Sequence, residues 1–173
     1  AKLTATDAAA GDKFGISVAV VGTTVVIGAY LDADGGSESG SVYIFHTSDG
    51  GATYNQVAKL TASDAAASDQ FGYSVAIDGK TIVAGAPYDD DAGSDSGSVY
   101  VFALPAPTDF AETAKLTAAD AAATSMFGGS VAIDGNTVII GATGAGTGGS
   151  VYVLRTSDGG VTYDQVAKLM ASD

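Results

Sequence analysis

The tetrapeptide Ala-Lys-Leu-Thr begins at residues 1, 58 and 114, and Ala-Lys-Leu-Met follows at 167, so the chain repeats itself at spacings of 57, 56 and 53 residues. A fixed period of this size constrains a fold more than any single motif. Each unit must be one supersecondary structure whose apolar face its neighbours bury. Residues 1–45 align with 58–102 without a gap, and about two thirds of the positions are identical. The third unit is shorter in one loop. The units are 1–57, 58–113 and 114–166, with a terminal strand at 167–173, all in a single segment.

Within a unit the pattern is β. In the second copy Ser74-Val75-Ala76-Ile77 reads as a short strand, and Asp78-Gly79 after it is a two-residue hairpin signal. Thr81 to Ala86 is the next strand, an acidic loop spans 88–96, Gly97 to Phe102 is the third strand, and the fourth runs from about Phe110 to Thr117. Four antiparallel strands in 50 to 60 residues is the size of a propeller blade. The strands are termed A to D, with A innermost. The Ala triplets at 8–10, 65–67 and 121–123 are too short for helices and read as loops. The fold expectation is therefore all-β: a β-propeller segment of three four-stranded antiparallel blades.

Phe14-Gly15, Phe71-Gly72 and Phe127-Gly128 open the units, and Gly28-Ala29, Gly85-Ala86-Pro87 and Gly141-Ala142 close strand B. These pairs resemble the FG-GAP repeat, the blade unit of integrin alpha-subunit propellers and of many bacterial and algal surface proteins. Only the second copy has the full Gly-Ala-Pro. The Phe is expected to pack between blades, and the Gly to permit close approach or positive φ. Between strands C and D, Thr47-Ser48-Asp49-Gly50-Gly51-Ala52-Thr53-Tyr54 and its copy at 156–163 resemble the Asp-box of sialidase-type propellers. There the Asp is expected to accept turn N–H groups, with the aromatic ring packed beneath. In the second copy Leu104-Pro105-Ala106-Pro107 takes the place of this turn.

The charge is lopsided: 20 acidic residues face 7 basic ones, for a net −13, and 18 of the acids are Asp. Such a surface repels nucleic acid and anionic membrane, so neither is an expected partner. No apolar run approaches the roughly 18 residues of a membrane span. Cysteine is absent, which excludes disulfides and thiolate chemistry. The chain begins at Ala1 without Met, which suggests a processed chain or an excised piece. His46 is the only histidine, at the end of strand C, and Arg155 the only arginine. A sialidase needs an arginine cluster, and no Ser-His-Asp set assembles around His46, so the expectation is a chain that is not an enzyme.

The resemblance implies calcium in a long Asp-rich loop between strands A and B. Here the A–B turns are two residues, Val21-Gly22, Asp78-Gly79 and Asp134-Gly135, and leave that site no room. Acid collects instead in the B–C loops. Asp32, Asp34 and Glu38 fall at relative positions 1, 3 and 7 of the first copy, and Asp89, Asp91 and Asp95 at those of the second. This resembles the first half of an EF-hand loop without its closing bidentate Glu. Backbone carbonyls near Gly36 and Gly93 would complete a Ca²⁺ shell. The alternative is a solvated acidic turn. The third copy, Gly144 to Gly148, has no carboxylate there. By blade topology the D–A connections, with Asp7, Asp12, Asp64, Asp69 and Asp120, emerge on the same face.

Three blades leave two open edges, whereas closed propellers have roughly four to eight blades. A homodimer closing six blades is the expected assembly, and a slice of a longer array the alternative. The functional expectation is a non-catalytic binding or adhesion module of extracellular or cell-surface type, with a protein or glycan ligand. The alternatives are a glycan-active enzyme and a purely structural or engineered repeat scaffold.

Overall fold

The computed structural model describes residues 1–106 and 109–171. The first unit contains β1 (Val18–Val21), β2 (Thr24–Ala29), β3 (Ser41–His46) and β4 (Asn55–Leu60). The second contains β5 (Ser74–Asp78), β6 (Thr81–Ala86), β7 (Ser98–Ala106) and β8 (Asp109–Leu116). The third contains β9 (Phe127–Asp134), β10 (Thr137–Ala142), β11 (Ser150–Arg155) and β12 (Asp164–Leu169). Each unit is one antiparallel sheet with its strands in chain order, and there is no helix among the described residues. The Ala triplets lie in turns and coil. The three-blade, all-β reading is the observed fold.

The hairpin loops differ from expectation by one residue. Val21 pairs with Thr24, Asp78 with Thr81 and Asp134 with Thr137, so the loops are Gly22-Thr23, Gly79-Lys80 and Gly135-Asn136. Each Gly takes the first loop position at φ 52–54°, a left-handed conformation that Gly enters without steric cost. The preceding residue is thereby free to close the ladder. Of the terminal strand expected at 167–173, residues 167–169 are the end of β12, which starts at Asp164; residues 172 and 173 lie outside the described residues, as does Pro107 of the second copy's C–D turn.

Successive sheets meet through the first strand of the later blade, β5 against β1 and β2, and β9 against β5 and β6; the A strands lie side by side, which places strand A innermost. The core lies between blades. Val26, Val42, Ile44 and Leu60 of the first blade meet Phe71, Val75, Ile82 and Tyr100 of the second. Val83, Val99, Val101 and Leu116 of the second meet Phe127, Val138, Ile140 and Tyr152 of the third. Phe71 is completely buried, its ring edge-on to Tyr100 at 5.4 Å and to Phe102 at 5.9 Å. Burial of one such ring is worth about 1.5–3 kcal/mol.

The Gly after each Phe makes the blades fit. Gly72 has φ +83°, and a Cβ there would lie 2.6 Å from the Ser41 carbonyl oxygen. Its own carbonyl accepts a 2.8 Å hydrogen bond from Ser17 Oγ of the first blade and lies where a methyl group on Gly28 would be. Ser74 Oγ donates to the Gly128 carbonyl in the same way at 2.7 Å, against Gly85. The Phe-Gly and Gly-Ala pairs are thus two sides of one backbone-to-backbone contact.

Candidate functional site

The B–C loop of one blade is joined to the D–A connection that follows it. Ser68, Gln70 and Phe71 donate backbone hydrogen bonds to the carbonyls of Ser37, Glu38 and Ser39, and Thr124, Met126 and Phe127 repeat the pattern on Ser94, Asp95 and Ser96. Both sets of loops therefore share one face, and most of the acid gathers there.

Asp32 and Asp34 are brought together. Asp32 is buried, accepting from Ser41 Oγ at 2.9 Å, the Tyr43 hydroxyl at 2.8 Å and the Asp34 N–H at 3.2 Å. Asp7, from the segment before the blade, joins them. The cation in their midst is the Lys59 ammonium, 2.7 Å from Asp7, 3.1 Å from Asp32 and 2.5 Å from Asp34. It also sits 5.1 Å from the centroid of the Tyr43 ring. The second blade repeats the cage. Lys115 bonds Asp64 at 2.6 Å, Asp89 at 2.9 Å and Asp91, over the Tyr100 ring. Oxygens of Asp64, Asp89 and Asp91 lie within 4.8 Å of one another. In the third blade Lys168 meets Asp120 at 2.6 Å over Tyr152. Gly-rich 144–148 supplies no further acid.

Electrostatics follow this geometry. Burial pushes the Asp32 carboxyl up, but hydrogen bonds from Tyr43, Ser41 and Lys59 outweigh it and hold the group below the usual carboxylate range. Burial likewise raises Asp64, and Lys115 and Tyr100 bring it lower. The Lys59 bond lowers Asp7, and the Lys168 bond lowers Asp120. Burial works against the Lys59 and Lys115 ammonium groups, yet their carboxylate partners raise both above the ordinary lysine value. Asp69 behaves oppositely: buried, with one hydrogen bond from the Ala66 N–H at 2.7 Å, its carboxyl is pushed up.

Glu38 and Asp95 are placed otherwise. Both residues are left-handed, at φ 57° and 53°, and their carbonyls hold the next blade's Gln70 and Met126 N–H groups. Neither carboxylate joins the ion pairs of its blade's lysine. The Gly36 and Gly93 carbonyls accept from Ser39 and Ser96 within their own turns. The three carboxylates that converge are thus one from the D–A connection and two from the B–C loop, in place of positions 1, 3 and 7 of the B–C loop alone. Sequence reasoning also missed Lys59, Lys115 and Lys168, together with their tyrosines. The signal was present, since Lys stands second in every Ala-Lys-Leu and Tyr ends every Ser-Val-Tyr at 41–43, 98–100 and 150–152.

The Asp-box hairpins join β3 to β4 and β11 to β12. Asp49 accepts from Thr47 Oγ1 at 2.8 Å, the Thr53 N–H at 2.9 Å and Thr53 Oγ1 at 2.6 Å, and Asp158 does the same with Thr156 and Thr162. Those bonds hold both carboxyls far below the ordinary range. The expected turn-locking role is observed.

Blades built this way define the chain as a β-propeller segment. The FG-GAP repeat profile matches residues 1–45, 54–102 and 110–154, and the chain belongs to the FG-GAP repeat family. No curated protein matches the sequence. Among solved structures, Sqt1 of Saccharomyces cerevisiae superposes at a TM-score of 0.55 and 13% identity, covering 93% of this chain and 37% of that one. A hypothetical selenium-binding protein from Sulfolobus tokodaii gives 0.53 and 14%, with 85% and 38% covered. This chain spans little more than a third of either, and the likeness is one of fold.

Proposed function

We propose that the chain is a non-catalytic binding module of extracellular or cell-surface type, presenting a protein or glycan ligand with the face that carries its B–C and D–A loops. The observation that carries this reading is the bonding of those loops to one another across blades, which gives a preformed surface on a rigid scaffold. Beneath it the buried Asp32 and Asp89 hold the scaffold together through Lys59 and Lys115, as structural counter-ions. FG-GAP membership supports the extracellular setting, as the likeness to integrin alpha-subunit propellers implies. No helix among the described residues is long and apolar enough to cross a membrane.

Calcium belongs to this proposal as a competitor of the lysines. Asp64, Asp89 and Asp91 supply converging hard oxygens. A Ca²⁺ ion there would have to displace the Lys115 ammonium, so binding is weak in the parent and stronger in Lys115→Met.

The test is a glycan and extracellular-protein array probed with the labelled chain, in calcium and in chelator, with bound glycans analysed afterwards. Saturable binding with intact glycans supports the module. Glycan cleavage would establish the enzyme instead, and no binding at high micromolar chain would leave only a structural scaffold. If Lys115→Met shows no heat of calcium binding at millimolar metal, the calcium reading fails separately.

A further inference from the structure

The first and third blades each leave exposed positions whose repeat equivalents are buried where blades meet. At positions equivalent through the repeat, Val26 and Val83 are 0% exposed but Ile139 is 43% exposed; Leu60 and Leu116 are 7% and 6% exposed but Leu169 is 56% exposed. Val75 is 8% exposed against blade one, whereas its counterpart Val18 is 66% exposed. The outer face of the third blade bears a groove of about 510 Å³ lined by Ser130, Gly141, Gly149, Val151 and Leu169. In the two inner interfaces the equivalent groove holds a Phe-Gly pair. Gly28 and Gly40 close on Gly72 and Phe71, and Gly85 and Gly97 close on Gly128 and Phe127. Ser17 and Ser74 donate to the carbonyl of that Gly. At the far end of the chain Phe14 is half-buried and Gly15 exposed, unlike the two buried pairs.

We propose that the outer face of the third blade is a Phe-Gly socket for a second copy of this chain. Phe14-Gly15 of that copy enters between Gly141 and Gly149, and Ser130 Oγ donates to its Gly15 carbonyl. A second copy is the occupant because the complementary surface is on the same chain, and two worked examples of the fit lie inside it. The contact is head-to-tail, so two copies close on each other through two identical sockets. Two sets of three blades give six, inside the roughly four-to-eight range of closed propellers; three copies would give nine.

The first seven residues stand in the way. Leu3 and Ala5 cover the outer face of the first blade, as Leu60 and Ala62 cover the second blade. The segment is tied down by Thr6 N–H to Gln56 Oε1 at 2.9 Å and by Asp7 to Lys59, and it forms no strand. Docking would bring Leu169 of the partner copy to the place where Leu3 lies. Residues 1–7 are thus a placeholder that must be displaced, and they weaken association by lowering the fraction of competent chains.

Sedimentation equilibrium of the whole chain in 0.3 M salt, which screens the −13 charge of each copy, tests this (about 6 Å of Debye length at that strength). The expected mass is that of two copies. Val18→Glu and Leu169→Glu each alter an exposed side chain, so both should fold by circular dichroism, and each alone should be monomeric. Mixed together they retain one intact socket and should form a dimer. Asp7→Asn should tighten association by about tenfold. A parent that stays monomeric, a three-copy mass, or either Glu variant still dimerising alone would overturn the socket. A mixture that stays monomeric would do so too. Unchanged affinity in both Asp7→Asn and a variant lacking residues 1–7 would overturn the placeholder.

Discussion

Lys115 and Lys168 occupy the same place in their repeats, over the ring of the same tyrosine, yet they do different amounts of structural work. Lys115 balances three carboxylates, one of them, Asp89, only 3% exposed. Lys168 balances Asp120 alone, which is half exposed. Removing a partner from a buried pair costs more than the pair itself contributes, because the remaining charge is left uncompensated in a poor solvent. Lys115→Met should therefore destabilise the fold by about 2–3 kcal/mol, less than the ~3–5 kcal/mol of a fully buried pair because Asp64 and Asp91 reach solvent. Lys168→Met, an exposed pair, should melt close to the parent. Thermal denaturation of the two variants checks this, and equal losses would show that the Asp89 cage is no more structural than an exposed ion pair.

At the scale of the element, the Phe-Gly turn is where one blade is fitted to the next. Gly72→Ala places a side chain at φ +83° and drives Cβ towards the Ser41 carbonyl. The left-handed strain of about 1–2 kcal/mol and a similar overpacking term should together exceed about 2 kcal/mol. Gly79→Ala is the control: its φ is +54° but nothing lies within 4 Å, so only the strain remains, about 1 kcal/mol. Urea unfolding of both variants compares them, and similar midpoints would remove the close approach from the account. These turns also show what a sequence can disclose. The Phe-Gly and Gly-Ala pairs were legible because each recurs at the repeat spacing and Gly has a conformational reason to be there. The hairpin loop lies one residue later than the Asp-Gly pair implies, because Asp-Gly signals a turn without saying which of its two residues closes the ladder. The position of Glu38 was not legible at all. Counting from Asp32 assumes an EF-hand-like path, whereas the left-handed backbone at Glu38 and Gly40 sends the loop to the next blade. The lysine cages needed strand D and the B–C loop folded together, since Lys59 and Asp34 are 25 residues apart.

For the whole molecule, pH sums these local effects. Asp7, Asp32, Asp64 and Asp120, with the two Asp-box carboxylates, have folded values below the 3.8 of an unperturbed Asp. A lowered carboxyl binds its proton more readily in the unfolded chain, so its contribution is complete above about pH 4 and is lost as pH falls through the folded values. Asp69 has the opposite sign: its raised carboxyl takes up a proton first in the folded state, so stability increases slightly as it protonates above pH 3.8. The raised lysines contribute below their ordinary value of 10.5 and are lost only in stronger alkali. The melting temperature, followed by circular dichroism at one fixed protein concentration, should be level or slightly rising from pH 7 to about 4.5. It should then fall steeply between about pH 4 and 2.5. The fixed concentration matters because any self-association adds its own stabilisation by mass action. Asp69→Asn should remove the slight rise and leave the acid fall intact, because the fall comes from the lowered carboxyls and not from Asp69. A melting temperature unchanged at pH 3 would mean that the cages and Asp-boxes contribute nothing to the stability of the folded blades.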